Sequence, residues 1–271
     1  MFCDFFGFRE KPFGKTPNPA YLYETSQHRE ALARLEYAVE EKELALLTGA
    51  IGCGKTTLSR VLLDRIGESR PVVLMVNPRL SPSQLVREIA SALGVAPRRA
   101  RKDVVDGLHA ALIDLHERGE DPVVIVDEAQ LVPSKATFDE IRLLTNFQLD
   151  DQNLLSVILI GQPELEARLL KPKYAALNQR IGIRYNIGPL ERKDTGAYIR
   201  HRIMVAGGHS VPFTEEAIDA VHDLSGGIPR VINSVATTAL LDAFGDDCDM
   251  IDAARVVSAG REHRLAIAEA H

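Results

Sequence analysis

Apolar positions in this chain follow two different periods. Apolar runs of strand length, broken only by Thr48 and Ser156, occur at 44–48 (LALLT), 72–76 (VVLMV), 123–126 (VVIV) and 154–160 (LLSVILI), with a mixed run at 181–187 (IGIRYNI). A run that is apolar on both sides has no face for solvent. Such runs predict strands covered on both sides, as in a parallel sheet. Between them the apolar positions recur at helical spacing. Leu32, Leu35 and Val39 define a helix from Ser26 to about Lys42, and a second runs from about Lys55 to Ile66. Ser81-Pro82 pairs a cap with a proline in the first turn and opens a helix to Leu93. Val104, Leu108, Leu112 and Leu115 mark a helix over 103–118, and Ser134 caps another predicted to reach Leu149. Strands alternating with helices predict an α/β fold, a three-layer α/β/α sandwich around a parallel sheet.

Beyond Pro189 the pattern is helical only, over 191–206, 215–225, 229–244 and 252–268. Gly207-Gly208, Gly226-Gly227 and Gly245 follow these helices and suit left-handed caps. Residues 1–25 carry Phe5, Phe6, Phe8, Pro12, Phe13, Pro17, Pro19, Tyr21 and Tyr23, which predicts an ordered arm. The expected organisation is an arm at 1–25, an α/β domain at 26–189 and a small helical domain at 190–271.

The chain has 271 residues, 45% hydrophobic and 26% charged, the profile of a packed globular protein rather than a disordered or fibrous one. A net charge of −6 confines any nucleic-acid contact to a local patch, for which Arg98, Arg99, Arg101 and Lys102 are the candidate. Cys3, Cys53 and Cys248 form no ligand cluster or disulfide framework, which favours a reducing, cytoplasmic location. No apolar stretch approaches the roughly 20 residues of a membrane span.

The candidate chemistry lies at the ends of the predicted strands. Gly49-Ala50-Ile51-Gly52-Cys53-Gly54-Lys55-Thr56 fits G-x-x-x-x-G-K-[ST] between a strand and a helix, the context of a P-loop NTPase. Its glycines let backbone N–H groups turn toward phosphate oxygens, and the following helix adds its positive dipole end. Lys55 is expected to reach the β- and γ-phosphates of ATP, and Thr56 to coordinate Mg²⁺, with Thr57 completing the cofactor-binding set. Val123–Val126 deliver Asp127 and Glu128 at a strand end, where ligands bind in open α/β sheets. Asp127 would hold Mg²⁺ and Glu128 would polarise the attacking water, so hydrolysis is favoured over small-molecule kinase chemistry. Gln162 ends a further apolar strand. In ATPases with an extra strand between the two motif strands, a polar residue there can touch the γ-phosphate and the water.

The phosphate loop, VIVDEAQ (124–130), GQPEL (161–165), NQRIGIRY (178–185) and SGGIPRVIN (225–233) together resemble an AAA+ ATPase. The opening FFGFREKPF, TPNPAYLY and HREAL (5–32) narrow the resemblance to the ATPase domain of the ExeA, or general secretion pathway protein A, family. That group is similar to transposition-helper and origin-recognition-type ATPases. The resemblance covers about residues 2–262. It implies an AAA+ α/β domain with a helical lid, homo-oligomers in rings or related assemblies, and ATP at subunit boundaries. Arg180 falls where such families place an arginine finger, with Arg184 as its competitor, and Arg230 falls at the lid's sensor arginine. Gly227 and Pro229 would aim the start of that lid helix. Secretion members continue into a membrane span and a peptidoglycan-binding region that this sequence does not carry. It is then a stand-alone member or one domain of a longer protein.

These readings converge on an Mg²⁺-dependent ATPase. Its expected partners are a second copy of itself and a protein of an envelope or secretion machine, with at most weak, non-specific DNA binding. Two rivals are an ATP-dependent DNA-bound regulator of transposition or replication, and a slow nucleotide switch that times a protein interaction.

Overall fold

The computed structural model describes residues 2–14, 16, 18–67, 70–150 and 152–268, with side chains to Arg261. Pro17 of the arm lies outside the described residues. The chain opens with a short helix, α1 (Phe2–Phe5), and a 3-10 turn at Pro19–Tyr21 whose cap Asn18 accepts from the Ala20 N–H at 3.0 Å. Two compact units follow from the packing. One comprises Gln27–Ile51 and Leu58–Ile187, the other Met1–Ser26, Gly52–Thr57 and Gly188–His271.

The first unit is built on a sheet. In chain order its elements are α2 (Ser26–Glu40), β1 (Leu44–Gly49), α3 (Lys55–Ile66), β2 (Val72–Met75), α4 (Pro82–Ala92), α5 (Arg101–Glu117), β3 (Val123–Val126) and α6 (Lys135–Leu144). Then come β4 (Gln148–Leu149), β5 (Gln152–Asn153), β6 (Ser156–Gly161), α7 (Pro163–Leu169), α8 (Ala175–Asn178) and β7 (Ile181–Ile187). The five longer strands form one sheet in the order β2-β3-β6-β1-β7, with every pairing parallel. The three central strands β1, β3 and β6 are buried at every residue, whereas the edge strands β2 and β7 are partly exposed. This is the physical meaning of the apolar runs: a strand with helices on both faces has no polar side to show. A cluster that includes Leu46, Leu108, Val124, Val126, Phe138, Val157 and Leu159 fills one layer. Each such side chain contributes about 1.5–3 kcal/mol relative to exposure.

Local chemistry sets the helix starts. Ser81 and Gln84 form a reciprocal capping box on α4, and Ser134 accepts from the Thr137 N–H at 3.1 Å on α6. The helix predicted from Ser134 to Leu149 stops early. The Thr145 hydroxyl donates to the Arg142 carbonyl at 2.7 Å, and the chain turns into an antiparallel hairpin, β4 with β5, around Asp150 at φ 52°.

The second unit is helical. Its elements are α9 (Arg192–Val205), α10 (Glu215–Ser225), α11 (Pro229–Gly245) and α12 (Ala253–Ala268). Phe8 and Phe13 of the arm are buried in one cluster with Ile199, Phe213, Val221 and Leu240. Arg202 ties the arm down: it donates to the carbonyls of Pro12 at 2.6 Å and Gly14 at 3.3 Å, and its guanidinium lies over the Tyr21 ring. Burial around that ring pushes the Tyr21 hydroxyl up to about 12. Gly226 takes the left-handed cap of α10 at φ 57°. Gly245 does not cap α11 as expected. It is the last helical residue, and Asp247 supplies the positive φ, a conformation that Asp tolerates.

Candidate nucleotide-binding site

β1 ends at Gly49 and α3 begins at Lys55, so residues 50–54 form the turn between a buried parallel strand and a helix N-terminus. Two features fit a phosphate cradle. Gly52 and Gly54 sit at φ 86° and 93°, which side chains rarely adopt. There is also no room for a side chain at Gly49 or Gly52. A Cβ on Gly49 would stand 2.6 Å from the Ile187 carbonyl oxygen, and one on Gly52 would stand 2.7 Å from Arg230 Cβ. The Arg230 N–H donates to the Gly52 carbonyl at 3.3 Å, which joins the second glycine of the loop to the first turn of α11. Lys55 and Cys53 are buried, and Thr56 and Thr57 are half-buried. Thr48, just before the loop, donates to Asn186 Oδ1 at 3.1 Å.

At the end of β3 the backbone pairs once more, Asp127 N–H to the Met75 carbonyl, and then breaks away. Asp127 is buried and its Oδ1 accepts from the Glu128 N–H at 2.8 Å. Glu128 sits at φ 52°, a left-handed conformation costing about 1–2 kcal/mol for a residue with a Cβ. A 3-10 turn over Ala129–Leu131 follows. β6 lies between β3 and β1, so the strand order brings the residue after β6 beside the acidic turn. That residue is Gln162, whose side-chain amide donates to Glu128 Oε2 at 3.4 Å.

Two contributors carried no role in the sequence reading. Gln130 stands in the VIVDEAQ run and donates from Nε2 to the same Glu128 oxygen, while its Oε1 accepts from the Gln162 N–H at 3.1 Å. Its place two residues after Glu128 was the available signal. Arg168 left no signal. It donates to the carbonyls of Gln130 at 3.3 Å and Val132 at 2.7 Å, and its guanidinium lies over the Phe138 and Tyr174 rings. Burial raises the Tyr174 hydroxyl, but the Arg168 hydrogen bond and the charges of Arg168 and Lys173 outweigh it and hold it below the ordinary tyrosine value.

The two finger candidates differ in setting. Arg180 is exposed and donates to Asn146 Oδ1 at 3.2 Å. Arg184 is half-buried and donates twice to Asn178, to its carbonyl and its Oδ1, at 2.8 Å each. Arg230 is exposed at the start of α11, and Gly227 before it is obligatory, since a Cβ there would meet the Leu190 carbonyl oxygen at 2.1 Å. In the basic cluster, Arg101 is paired with both oxygens of Glu140 at 2.6 and 2.8 Å, while Arg98, Arg99 and Lys102 are exposed.

A phosphate loop after β1, an acidic pair after β3 and a strand inserted between them define a P-loop NTPase of the AAA+ class, a class of nucleotide-binding proteins. Residues 39–169 match the AAA domain family. More particularly, the chain is similar to general secretion pathway protein A of Aeromonas hydrophila, with 41% identity over 248 residues. That alignment covers 90% of this chain but 45% of the relative, so the chain spans less than half of that protein's length. Among solved structures, Cdc6p of Pyrobaculum aerophilum aligns with a TM-score of 0.66 at 16% identity, over 89% of this chain and 67% of that one. The ORC2 protein of Aeropyrum pernix aligns with a TM-score of 0.68 at 18% identity, over 93% and 71%. At those identities the likeness is one of fold. Among the described residues no helix is long and apolar enough to cross a membrane.

Proposed function

We propose that this chain binds ATP with Mg²⁺ and hydrolyses it to ADP and phosphate, with 26–189 as the nucleotide-binding domain and 190–271 as its lid. The observation that carries hydrolysis is Glu128. It follows a buried strand, stands next to a buried Asp127, and is held by amides on one carboxylate oxygen. An acid so placed can take a proton from water, and the amides fix its orientation. Gly49, Gly52, Cys53 and Gly54 supply the loop. Lys55 and the N-terminus of α3 would face phosphate charge, with Thr56 and Asp127 as the Mg²⁺ ligands. The metal, when bound, neutralises phosphate charge. Gln162 would orient the water alongside Glu128. Arg180 on a neighbouring subunit would complete the site, and Arg230 would report nucleotide to the lid. Catalysis of this kind is positioning and charge stabilisation.

The proposed setting is a homo-oligomeric motor or assembly factor of an envelope or secretion machine. The similarity to general secretion pathway protein A supports it. The exposed Arg98, Arg99 and Lys102 favour a second reading as a DNA-bound regulator, and adding duplex DNA to the assay below separates the two.

The test is phosphate release by the purified chain with ATP and Mg²⁺. Glu128→Gln should hold ATP within about threefold of wild type and lose turnover at least about 100-fold, the scale for loss of a general base. Lys55→Ala should weaken ATP binding at least about tenfold, an electrostatic contact of about 1.4 kcal/mol or more. Near wild-type turnover in Glu128→Gln would sink the hydrolysis reading.

A further inference from the structure

We propose that Gln130 is a positioning residue that locks the Glu128 carboxylate to the residue after β6. The inference rests on the hydrolysis reading and deepens it. Gln130 makes two contacts of opposite polarity. Its Nε2 donates to Glu128 Oε2, and its Oε1 accepts from the backbone N–H of Gln162 at 3.1 Å. Only one orientation of the amide satisfies both, because exchanging N and O would face donor to donor and acceptor to acceptor. Gln162 then closes the ring with its own Nε2 on the same Glu128 oxygen at 3.4 Å. Glu128, Gln130 and Gln162 thus form a closed circuit between the ends of β3 and β6.

The circuit loads one carboxylate oxygen. Both amides reach Oε2, so neither engages Oε1, which is left to accept a proton from water. Glu128 needs this hold because its own backbone is in a left-handed conformation that is unfavourable for a residue with a side chain. Gln130 is itself braced, since Arg168 donates to the carbonyls of Gln130 and Val132 on either side of Leu131. Gly161 leaves the space in which the Gln130 amide lies: a Cβ there would stand 2.8 Å from Oε1. Few side chains other than an amide could replace it. A carboxylate accepts from Gln162 but repels Glu128, and a methionine fills the volume but does neither.

Steady-state kinetics of the full chain, with ATP affinity and thermal melting measured alongside, provide the test. Gln130→Met should lower kcat about tenfold or more, a part of the roughly 100- to 10,000-fold that a general base contributes, while KM and ATP affinity stay within about twofold. Gln130→Glu should be slower still near neutral to alkaline pH and should recover several-fold on acidification, as its added carboxyl gains the proton that lets it donate. Wild type should show no such recovery, and a residue that only packs would not produce one. If Glu128→Gln is inactive while Gln130→Met keeps wild-type kcat, the positioning role is wrong and the hydrolysis reading stands. If Glu128→Gln itself turns over normally, both fall together. Should Gln130→Met fail to fold, Gln130→Glu carries the decision through its pH profile: a flat profile overturns the proposal.

Discussion

The turn after β1 is made of backbone, whereas the turn after β3 is made of side chains reaching across to β6. Around Gly49 and Gly52 what matters is the absence of a Cβ, with positive φ at Gly52 and Gly54, and the neighbours are a carbonyl oxygen and the base of a side chain. Around Glu128 the conformation is held by two amides and a guanidinium drawn from residues 130, 162 and 168. The first construction is rigid and local. The second is a network whose bonded partners lie up to 38 residues apart, and it can be retuned one hydrogen bond at a time. Under the proposed function, the contrast suits a loop that would present fixed N–H groups to phosphate and an acid whose aim would decide the rate.

The comparison breaks most easily at the rigid end. Gly52→Ala should be the most damaging single change in either turn. It forces a Cβ into φ 86°, costing about 1–2 kcal/mol, and drives it to 2.7 Å from Arg230 Cβ, which adds about 1–3 kcal/mol of overpacking. The expected outcome is a melting temperature lower by about 4–20 °C at about 2–4 °C per kcal/mol, with ATP affinity lost in parallel. Melting curves with and without ATP check this. A variant as stable as wild type that still binds ATP would show that the loop yields, and the contrast would collapse.

Legibility in the sequence follows the same division. The phosphate loop is a run of consecutive residues, and each requirement is local, so spacing alone located it. The acidic pair was readable because a buried strand ends there, and Gln162 because another does. The clamp by Gln130 was not, because it depends on β6 lying beside β3, a contact between residues 32 apart. Arg168 was hidden for a stronger reason. It acts through carbonyl oxygens and ring faces, which leave no pattern in residue type. The overrun of α6 has the opposite cause. Phe147 and Leu149 continue an apolar pattern past Leu144, but the Thr145 hydroxyl satisfies a carbonyl of the helix's last turn and the chain enters the hairpin instead.

A smaller effect sharpens the contrast. Gly49→Ala places a Cβ 2.6 Å from both the carbonyl oxygen and Cγ2 of Ile187, on the paired strand β7. Backbone in a sheet cannot move aside without breaking its ladder, so a loss of about 1–3 kcal/mol is expected, read as a melting temperature lower by about 2–12 °C. A melting temperature within about 1 °C of wild type, below the smallest shift that cost predicts, would mean that β1 and β7 part readily at this point.

Gly161→Ala is the matched experiment at the other turn. Gly161 ends β6 and pairs with Thr48, one residue before Gly49, so the two glycines occupy nearly the same level of the sheet. Its new Cβ would meet Leu165 Cδ2 at 2.7 Å and Gln130 Oε1 at 2.8 Å, both at the ends of flexible side chains, with Leu165 Cβ further off at 3.2 Å. The two nearest atoms can swing away, Leu165 Cβ must give by only a few tenths of an ångström, and φ at Gly161 is not positive, so the added residue also gains about 0.4–1 kcal/mol by restricting the unfolded chain. Stability should therefore change by less than about 1 kcal/mol, a shift of about 4 °C at most. The cost should appear in the chemistry instead. If Gln130 yields, its hold on Glu128 loosens, and kcat should fall several-fold with ATP affinity unchanged. The same methyl group thus costs stability at Gly49 and rate at Gly161. Melting and turnover of the two variants side by side decide it: a Gly161→Ala variant that melts as early as Gly49→Ala and keeps full kcat would show that the turn after β6 is as rigid as the loop, and that the amides around Glu128 do not set its aim.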